Sequence, residues 1–227
     1  MFSILPLSAS TYASEIDNLI LFVSVIVGFW FFLVMGVFFW LLWRYRAKEG
    51  VPSQYVTGYE KEKKRFITIP HYLVLVCDVF ILVGAIKVWY NVKQALPDAE
   101  AEVRVIAQQW AWVFVHPGTD GVFDTADDIK KVNELHLQKD TVYHYHLQSR
   151  DVLHSFSIPV FRLKQDALPG RTITGWFEPT LTGEFLLQCT EICGVGHALM
   201  PAKVFVEDAP THALWIANNS NTELASN

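Results

Sequence analysis

Cysteine is scarce in this chain of 227 residues, which contains only three. Three cysteines cannot build a disulfide framework, and the lack of a Cys-x-x-Cys-His sequence excludes a covalently attached haem of the c type. Cys77 lies in an apolar run, where we interpret it as a packed apolar side chain. Cys189 and Cys193 lie close together in a more polar region. That pair therefore forms either a disulfide or part of a metal site.

Basic residues are outnumbered in the C-terminal part of the chain. Residues 91–227 contain 10 Lys and Arg against 17 Asp and Glu, whereas residues 1–90 contain 8 against 6. A nucleic-acid-binding surface needs a basic face that neutralises phosphates, so the acidic part excludes nucleic acid as a partner. The same charge favours a cationic protein partner, which is attracted over long range at low ionic strength.

Charge is absent altogether from Leu19 to Trp43, a run of 25 residues. Because about 20 apolar residues suffice to cross a bilayer, we predict a transmembrane helix at residues 19–43. A second apolar stretch predicts another transmembrane helix at residues 66–90, although Asp78 and Lys87 interrupt it. Polar groups at those positions must face protein or the membrane interface.

The loop between the two predicted helices, residues 44–65, carries seven Lys and Arg, whereas residues 1–18 carry none. Positively charged loops stay in the cytoplasm, so we predict a cytoplasmic loop with both termini on the outer side. The chain is then a multi-pass protein of the bacterial inner membrane, with residues 1–18 in the periplasm. A cleaved signal peptide is the alternative for this segment, because Tyr12-Ala13-Ser14 resembles a cleavage site, but a basic n-region is missing.

After Pro97 the hydrophobic pattern changes from continuous to alternating, with Gly, Pro and Asp between the alternating runs. Alternation predicts short β-strands, and about seven of them suggest a β-sandwich. The segment Pro117–Asp128 is rich in Gly and Asp, which predicts a hairpin excursion. Residues 209–227 are mostly polar and are predicted to form a tail. The predicted strands are Val103–Ile106, Glu134–Leu137, Thr141–Leu147, Arg171–Phe177, Glu184–Leu187 and Lys203–Glu207.

The densest group of potential metal ligands lies between Gln188 and Pro201. Thiolate, imidazole and thioether are soft ligands, and a thioether favours copper over zinc or a hard cation. Two thiolates separated by three residues can bridge two metal ions, each of which needs a terminal imidazole. The predicted ligands are His154, Cys189, Cys193, His197 and Met200, with the backbone carbonyl of Glu191.

Two other interpretations of this loop stay open. A disulfide between Cys189 and Cys193 is plausible in an oxidising compartment. A zinc site of two cysteines and two histidines is possible by ligand count, but it gives Met200 no role. Both alternatives leave part of the ligand set unexplained, so copper is the interpretation that we favour.

The run from Ser149 to Glu207 resembles the copper-binding domain of cytochrome c oxidase subunit II. The matching stretches are Asp151–Ser155, Asp166–Arg171 and Gln188–Pro201, and with the two-helix anchor the resemblance covers about residues 15–208. It implies a two-helix transmembrane hairpin followed by an all-β, cupredoxin-like sandwich or barrel at residues 91–208. It also implies docking on the haem-bearing subunit I, among other oxidase subunits.

The resemblance further implies the roles of individual residues. His154, Cys189, Glu191, Cys193, His197 and Met200 would bind the dinuclear copper A centre, and the Glu191 side chain would reach a magnesium ion at the subunit I boundary. Trp110, in the aromatic run Gln109–Trp112, would be the point at which electrons from cytochrome c enter. They would pass to haem in subunit I, where dioxygen is reduced to water and protons are pumped. The alternative is that Trp110 and Trp112 are ordinary aromatics on one face of a strand.

Two rival functions compete with this one. A quinol oxidase subunit with a merely structural domain would lack the copper ligands, which are present here. A stand-alone, membrane-anchored copper-binding or copper-delivery protein would keep them but would need no partner subunit. Polar groups in the second span and the acidic C-terminal part favour a complex.

Several residues keep open interpretations. A glutamate associated with proton uptake in the family corresponds by position to Lys63, with Glu62 beside it, so that role is not assigned. Asp78 pairs either with Lys87 or with a group on subunit I, or else makes a polar contact between helices. The segment Asp120–Asp128 is either a calcium loop or, as we favour, a solvated acidic hairpin. Three histidines that alternate along strands are predicted to face solvent: His136, His144 and His146.

Overall fold

The computed structural model describes residues 6–52 and 55–220. Two long apolar helices come first, and a sandwich of two five-stranded sheets follows. This confirms the predicted order of a helical hairpin and an all-β domain. The chain divides into two compact units, of which the helical one spans Asp17–Tyr90. The other combines the residues up to Ile16 with those from Asn91 onward.

The helical unit contains most of helix α1 (Ala13–Arg44) and helix α2 (Lys61–Trp89). A π-helical turn, Tyr90–Gln94, follows α2 directly. Both helices are long and apolar enough to cross a membrane. They contain the predicted spans apart from Tyr90, which lies in the π-helical turn. Helix α1 begins six residues before the uncharged run because Ala13–Asn18 continues the same helix.

The sandwich unit contains ten strands. The first sheet has the order β3-β2-β1-β5-β8 and the second the order β4-β10-β9-β6-β7. Neighbouring strands are antiparallel except for the pairs β1 with β5 and β4 with β10, which are parallel. The strands are β1 (Ala101–Gln108), β2 (Ala111–His116), β3 (Ile129–Val132), β4 (Glu134–Gln138), β5 (Tyr143–Ser149), β6 (His154–Ile158), β7 (Leu163–Ala167), β8 (Ile173–Phe177), β9 (Gly183–Cys189) and β10 (Ala202–Glu207).

Alternation along the strands fills the space between the two sheets. In β1, Val103, Val105 and Ala107 are fully buried, whereas the residues between them are partly exposed. Because successive side chains of a strand point to opposite faces, this pattern gives each sheet one apolar face. Trp112 and Phe156 pack between the sheets with ring centroids 5.7 Å apart. The core therefore lies directly beneath the end of β9, where the ligand loop begins.

The N-terminal segment also belongs to the sandwich. Ala9 and Tyr12 are buried in its core. The Ala9 N–H donates to the carbonyl of Val160, and the Ala9 carbonyl accepts from the N–H of Thr180. The domain that was predicted at residues 91–208 therefore also includes part of the N-terminal segment, because the apolar side chains of that segment are buried in its core.

The polar segment that was predicted to be a tail is helical over Ala209–Ser220, which we name α3, and this corrects the prediction for residues 209–220. Asp208 is the N-cap of the helix, because its side chain accepts a hydrogen bond from the N–H of Thr211 at 3.0 Å. A side-chain oxygen in this position satisfies a backbone donor that the first helical turn leaves free. Residues 221–227 of the predicted tail lie outside the described residues.

Candidate metal centre

Strand pairing brings the two halves of the predicted ligand set together. Strand β6, which begins at His154, is antiparallel to β9, with Phe156 opposite Cys189. The N–H of Thr190 donates to the carbonyl of Ser155 at 3.1 Å, so the pairing continues past the end of β9. His154 and Cys189 therefore lie at the same end of the second sheet.

The two thiols lie side by side within the loop. Their sulfur atoms are 3.8 Å apart, and neither cysteine forms a disulfide. The Sγ of Cys193 is also 3.5 Å from Nδ1 of His197 and 3.5 Å from Sδ of Met200. The Cys189 thiol donates to the backbone carbonyl of Glu191 at 3.2 Å. The loop thus gathers five of the six predicted ligands around one sulfur pair.

His154 completes this group from the neighbouring strand. Its ring is fully buried, and its Nε2 lies 2.8 Å from a carboxylate oxygen of Asp151. Its other nitrogen, Nδ1, is buried without a hydrogen-bond partner. Ligand atoms of His154, Cys189 and Cys193 all lie within 4.8 Å of one another. A buried nitrogen without a hydrogen bond is costly, so its place beside two thiols fits a metal-binding role.

The burial of the Cys193 thiol affects how a metal would bind. Burial, and after it the neighbouring Cys189, raise the pKa of the Cys193 thiol to about 11. This thiol therefore keeps its proton unless a positive ion compensates the buried negative charge. A metal that binds here must displace the proton, as metals do at thiolate sites.

Trp110 lies against the loop, in a turn rather than on a strand. It occupies the turn between β1 and β2 and is 37% exposed, whereas Trp112 lies in β2 and is fully buried. The interpretation that both side chains share one face of a strand is therefore wrong, because the strand ends at Gln108. The indole of Trp112 instead donates to the backbone carbonyl of Met200 at 3.0 Å.

Two side chains of the β1–β2 turn bind the same carbonyl in the loop. The carbonyl of Cys193 accepts Nε2 of Gln109 at 2.8 Å and Nε1 of Trp110 at 3.3 Å. The Trp110 ring packs on the loop backbone so closely that a Cβ at Gly196 would overlap it. Glycine in this position lets the indole approach the loop, and any larger residue would move one or the other.

Asp151 is a functional candidate that the sequence analysis did not single out. One of its oxygens lies near Nε2 of His154 and accepts the N–H of Val152, and the other accepts the N–H of Gln109 at 2.6 Å. Partial burial acts to raise the pKa of Asp151, but the hydrogen bonds from Gln109 and His154 hold it below its usual range. A carboxylate that fixes a ligand imidazole is a common outer partner at metal sites. The sequence feature that could have identified this role is the position of Asp151, three residues before His154.

Comparison with known proteins identifies the family. The sequence profile of the periplasmic domain of cytochrome c oxidase subunit II matches residues 101–207. The alternative cytochrome c oxidase subunit 2 of Bradyrhizobium diazoefficiens is 31% identical over 223 residues, which cover 88% of this chain and 79% of that protein. The chain belongs to the cytochrome c oxidase subunit II family.

Two further comparisons support this family assignment. The cytochrome c oxidase subunit 2 of Cereibacter sphaeroides is 29% identical, and the match covers 96% of this chain and 81% of that protein. The crystal structure of the periplasmic domain of subunit II from Bradyrhizobium japonicum superposes with a TM-score of 0.51 at 26% identity. That match covers 56% of this chain and 99% of the crystallised domain. The cupredoxin-like sandwich predicted from the resemblance is thereby confirmed.

Glu191 differs from the other predicted ligand residues because its backbone carbonyl, and not its side chain, lies beside the thiols. Its carbonyl faces the Cys189 thiol, and the residue is half-buried. Within the part of the chain that the structure describes, its carboxylate makes no hydrogen bond or ion pair. The magnesium role of that carboxylate stays a prediction.

The carboxylates of the acidic segment between β2 and β3 form hydrogen bonds and an ion pair with nearby protein groups. Asp127 accepts hydrogen bonds from the backbone N–H groups of Thr119 and Asp120, and a hydrogen bond from Thr125 leads the interactions that lower its pKa to about 2. Asp124 forms an ion pair with Arg104 at 2.9 Å. The segment connects the antiparallel strands β2 and β3, so it forms the acidic hairpin that we favoured from the sequence.

The three alternating histidines are less exposed than predicted. His136 is buried, and its Nδ1 lies 2.8 Å from Glu207. His144 and His146 are half-buried, and they contact the carbonyl of Pro97 and the carboxylate of Glu102. The prediction of a solvent-facing His136 is wrong because α3 covers that face of the sandwich, where Trp215 stacks on the His136 ring at 4.1 Å.

Proposed function

We propose that this chain is the electron-accepting subunit of a cytochrome c oxidase. It receives electrons from cytochrome c at a dinuclear copper centre and passes them to haem in subunit I, where dioxygen is reduced to water and protons are pumped. The observation that carries the proposal is the buried, unpartnered Nδ1 of His154 beside the thiols of Cys189 and Cys193. When bound, the copper pair supplies reversible one-electron chemistry.

The shape of the ligand set supports two metal ions rather than one. Ligands of a single ion with bonds of about 2.0 to 2.3 Å lie within roughly 4.6 Å of one another. His197 reaches Cys193 at 3.5 Å but is not part of the tight group that Cys193 forms with His154 and Cys189. In the proposal, the thiolates of Cys189 and Cys193 and the imidazoles of His154 and His197 would hold the ions, with Met200 and the carbonyl of Glu191 as further ligands. A thioether favours copper over zinc.

The remaining residues of the site hold this ligand set in place. Asp151 orients His154, and the carbonyl of Met200 is held by the buried indole of Trp112. Because the ligands stand on a packed sandwich, they move little when the charge of the centre changes, and small movement favours fast transfer. Trp110 is the proposed point at which electrons enter, since its indole is partly exposed and bonds directly to the carbonyl of Cys193.

Docking and membrane placement follow from charge. The acidic C-terminal part suits a basic donor protein such as cytochrome c, attracted over long range. The seven basic residues between the helices suit the cytoplasmic side of a bacterial inner membrane, which puts the sandwich and both termini in the periplasm. We also propose that subunit I contacts the Glu191 side chain through magnesium.

The test of the copper centre is metal analysis with electron paramagnetic resonance on the full-length chain in detergent, expressed without the haem-bearing partner. We expect two copper ions per chain and one unpaired electron shared equally between them. Cys193→Ser should abolish the shared signal, because one of the two thiolates that would hold the ions is lost. Cys77→Ser is the matched control and should leave the signal unchanged. A single copper, bound zinc, or a native Cys189–Cys193 disulfide would contradict the proposal.

Retention of the metal separates the oxidase subunit from a copper-delivery protein. An electron-transfer centre should keep its copper during prolonged dialysis against a chelator at neutral pH, because buried thiolates and imidazoles hold both ions. A delivery protein must release copper to an acceptor. Loss of most of the copper within minutes, from a chain purified without partners, would favour delivery.

The role of Trp110 is tested in the assembled oxidase. Trp110→Ala should slow electron transfer from reduced cytochrome c by at least tenfold while the copper spectrum stays intact, since the indole is not a ligand. Val195→Ala is the control, because Val195 is 95% exposed on the same loop and makes no comparable contact. Equal rates for the wild type and Trp110→Ala would remove Trp110 from the pathway.

A further inference from the structure

Asp78 is an acidic residue in the middle of an apolar helix. Between Arg65 and Lys87, helix α2 has no other charged residue. At 1.5 Å per residue, Asp78 lies about 20 Å along the helix from Arg65 and about 14 Å from Lys87. Because the hydrocarbon core of a bilayer is about 30 Å thick, a spanning α2 holds this carboxylate well inside it.

Nothing in the described chain pairs with this carboxylate. Asp78 is exposed, and it makes no hydrogen bond or ion pair with any described residue. Lys87 lies nine residues further on, on the opposite side of the helix, so the Asp78–Lys87 pair, which was one of the open alternatives, does not form. His71 lies two turns earlier, and its ring contacts Tyr72. Helix α1 has no charged residue from Asn18 to Trp43.

The carboxylate opens into a groove between the two helices. The groove is open and has a volume of about 380 Å³, and its other lining residues are all apolar or weakly polar. The indole of Trp30 donates to the Sγ of Cys77 at 3.5 Å, which ties α1 to α2 beside Asp78. The groove lining is Ile26, Val27, Trp30, Phe31, Val34, Met35, Val74, Cys77, Asp78 and Ile81.

A carboxylate in this environment requires an outside partner. A charged side chain facing lipid at mid-membrane depth costs several kcal/mol, so such residues face protein and pair there. We propose that the groove is the docking site for a transmembrane helix of a partner subunit that carries a basic side chain at the depth of Asp78. The inference rests on the proposed function only in that the chain works inside a membrane complex.

Charge complementarity favours a basic residue over the other occupants. A lipid chain fills the apolar part of the groove but leaves the carboxylate uncompensated. A neutral donor on a partner helix hydrogen-bonds to the carboxylate but leaves its charge uncompensated. A basic side chain both compensates the charge and donates hydrogen bonds, which makes the pair strong where water is excluded.

The first experiment measures how firmly the chain holds its partner subunits. The oxidase is extracted from membranes with detergents of increasing strength, and the amount of partner that copurifies is measured for Asp78→Leu, Asp78→Asn and Asp78→Glu. We expect at least a tenfold loss of partner for Leu and Asn, and more than half of the wild-type amount for Glu. Asp78→Leu makes the span more apolar, so a failure to insert into the membrane does not explain a loss.

The controls and contrary outcomes are specific. Lys87→Leu removes the other charge of the same helix from its opposite side and should retain the partner. Equal copurification for all Asp78 variants means that lipid covers the groove, and it overturns the proposal. Retention by Asn together with loss by Leu means a neutral donor, and it overturns the basic partner.

A second experiment identifies the occupant. A photoreactive amino acid replaces Val34, which lines the groove from α1, and the crosslinked peptide is sequenced from the intact complex. We expect a partner transmembrane segment with a Lys or Arg in its apolar run. Crosslinks to lipid alone, or to a segment without a basic residue, overturn the proposal. Copper content measured on the same preparations reports separately on the copper centre, so the failure of either proposal is recognised on its own.

Discussion

In the β-sandwich the large apolar side chains lie inside, whereas in the α1–α2 hairpin they lie on the surface. Trp112 and Phe156 are fully buried between the sheets, but Phe32 and Trp40 are 74% and 53% exposed on α1. In water, burial of apolar surface is the main force that drives folding. In lipid that force is absent between helices, so packing and polar contacts hold them together.

This difference in burial explains which region can hold metal ligands in fixed positions and which region can bind a partner. The ligand loop needs fixed positions for sulfur and imidazole, and it is attached to the sandwich, whose core is complete within this chain. The hairpin exposes its apolar surface and Asp78 to whatever surrounds it. The proposed electron transfer therefore belongs to the sandwich, and the proposed docking of a partner helix belongs to the hairpin.

The largest effect that separates the two regions is expected from truncating a large aromatic residue in each. Trp112→Ala should destabilise the sandwich by about 3 to 5 kcal/mol, because it leaves a cavity and frees the carbonyl of Met200. Phe32→Ala should change the stability of the sandwich by less than about 0.5 kcal/mol, as is usual for an exposed residue. Hydrogen exchange of β1 and β5, measured by mass spectrometry in detergent, reports the free energy of opening. Similar values for both variants would show that the contrast in burial has no energetic meaning.

A smaller effect is expected from pH, because the sandwich buries a neutral histidine. His116 lies in β2 against Trp215 of α3, with ring centroids 5.1 Å apart. Burial, with the nearby His212, His136 and Lys131, lowers the pKa of His116 from 6.5 to about 3. Between these values the unfolded chain binds the extra proton, so stability falls as the pH falls below about 6.5.

The loss from His116 alone should reach about 2 kcal/mol at pH 5, since 1.4 kcal/mol corresponds to one pKa unit. The measurement is urea unfolding of the sandwich at pH 7.5 and pH 5. His116→Phe, which keeps an aromatic ring beside Trp215, should flatten the difference. His71→Phe, on the exposed face of α2, is the control and should leave this difference in stability unchanged. An unchanged pH dependence in His116→Phe would show that another group controls it.

Much of the sandwich was predictable from its sequence because its strands alternate. The strands β1, β4, β5, β8, β9 and β10 coincide with runs in which apolar and polar residues follow each other. Strands β2, β3, β6 and β7 lie outside those runs. In β3 and β7, Lys130-Lys131 and Lys164-Gln165-Asp166 interrupt the apolar positions at the edges of the sheets. Their pairing partners define them, and periodicity alone does not identify such partners.

Local signals were also present where the prediction failed. Asp208 and Pro210 form a favourable start for α3, but the mostly uncharged, polar segment concealed it. What holds the helix is the stack of Trp215 on His136, a contact between residues 79 positions apart. In the same way, the ligand types in the loop were readable, whereas the bond from Asp151 to the N–H of Gln109 depends on the folded chain.

The smallest expected effect compares two exposed carboxylates in different solvents. Asp124 of the sandwich is 76% exposed and binds Arg104 through two hydrogen bonds, of 2.9 and 3.1 Å. An exposed ion pair in water contributes about 0 to 1 kcal/mol, and salt weakens it further. A double-mutant cycle of Asp124→Asn with Arg104→Gln, measured by urea unfolding at low and high salt, should give a coupling in that range that fades with salt. A coupling above about 2 kcal/mol would contradict this estimate. Asp78 is the opposite case, because a carboxylate that is exposed at little cost in water is costly in lipid.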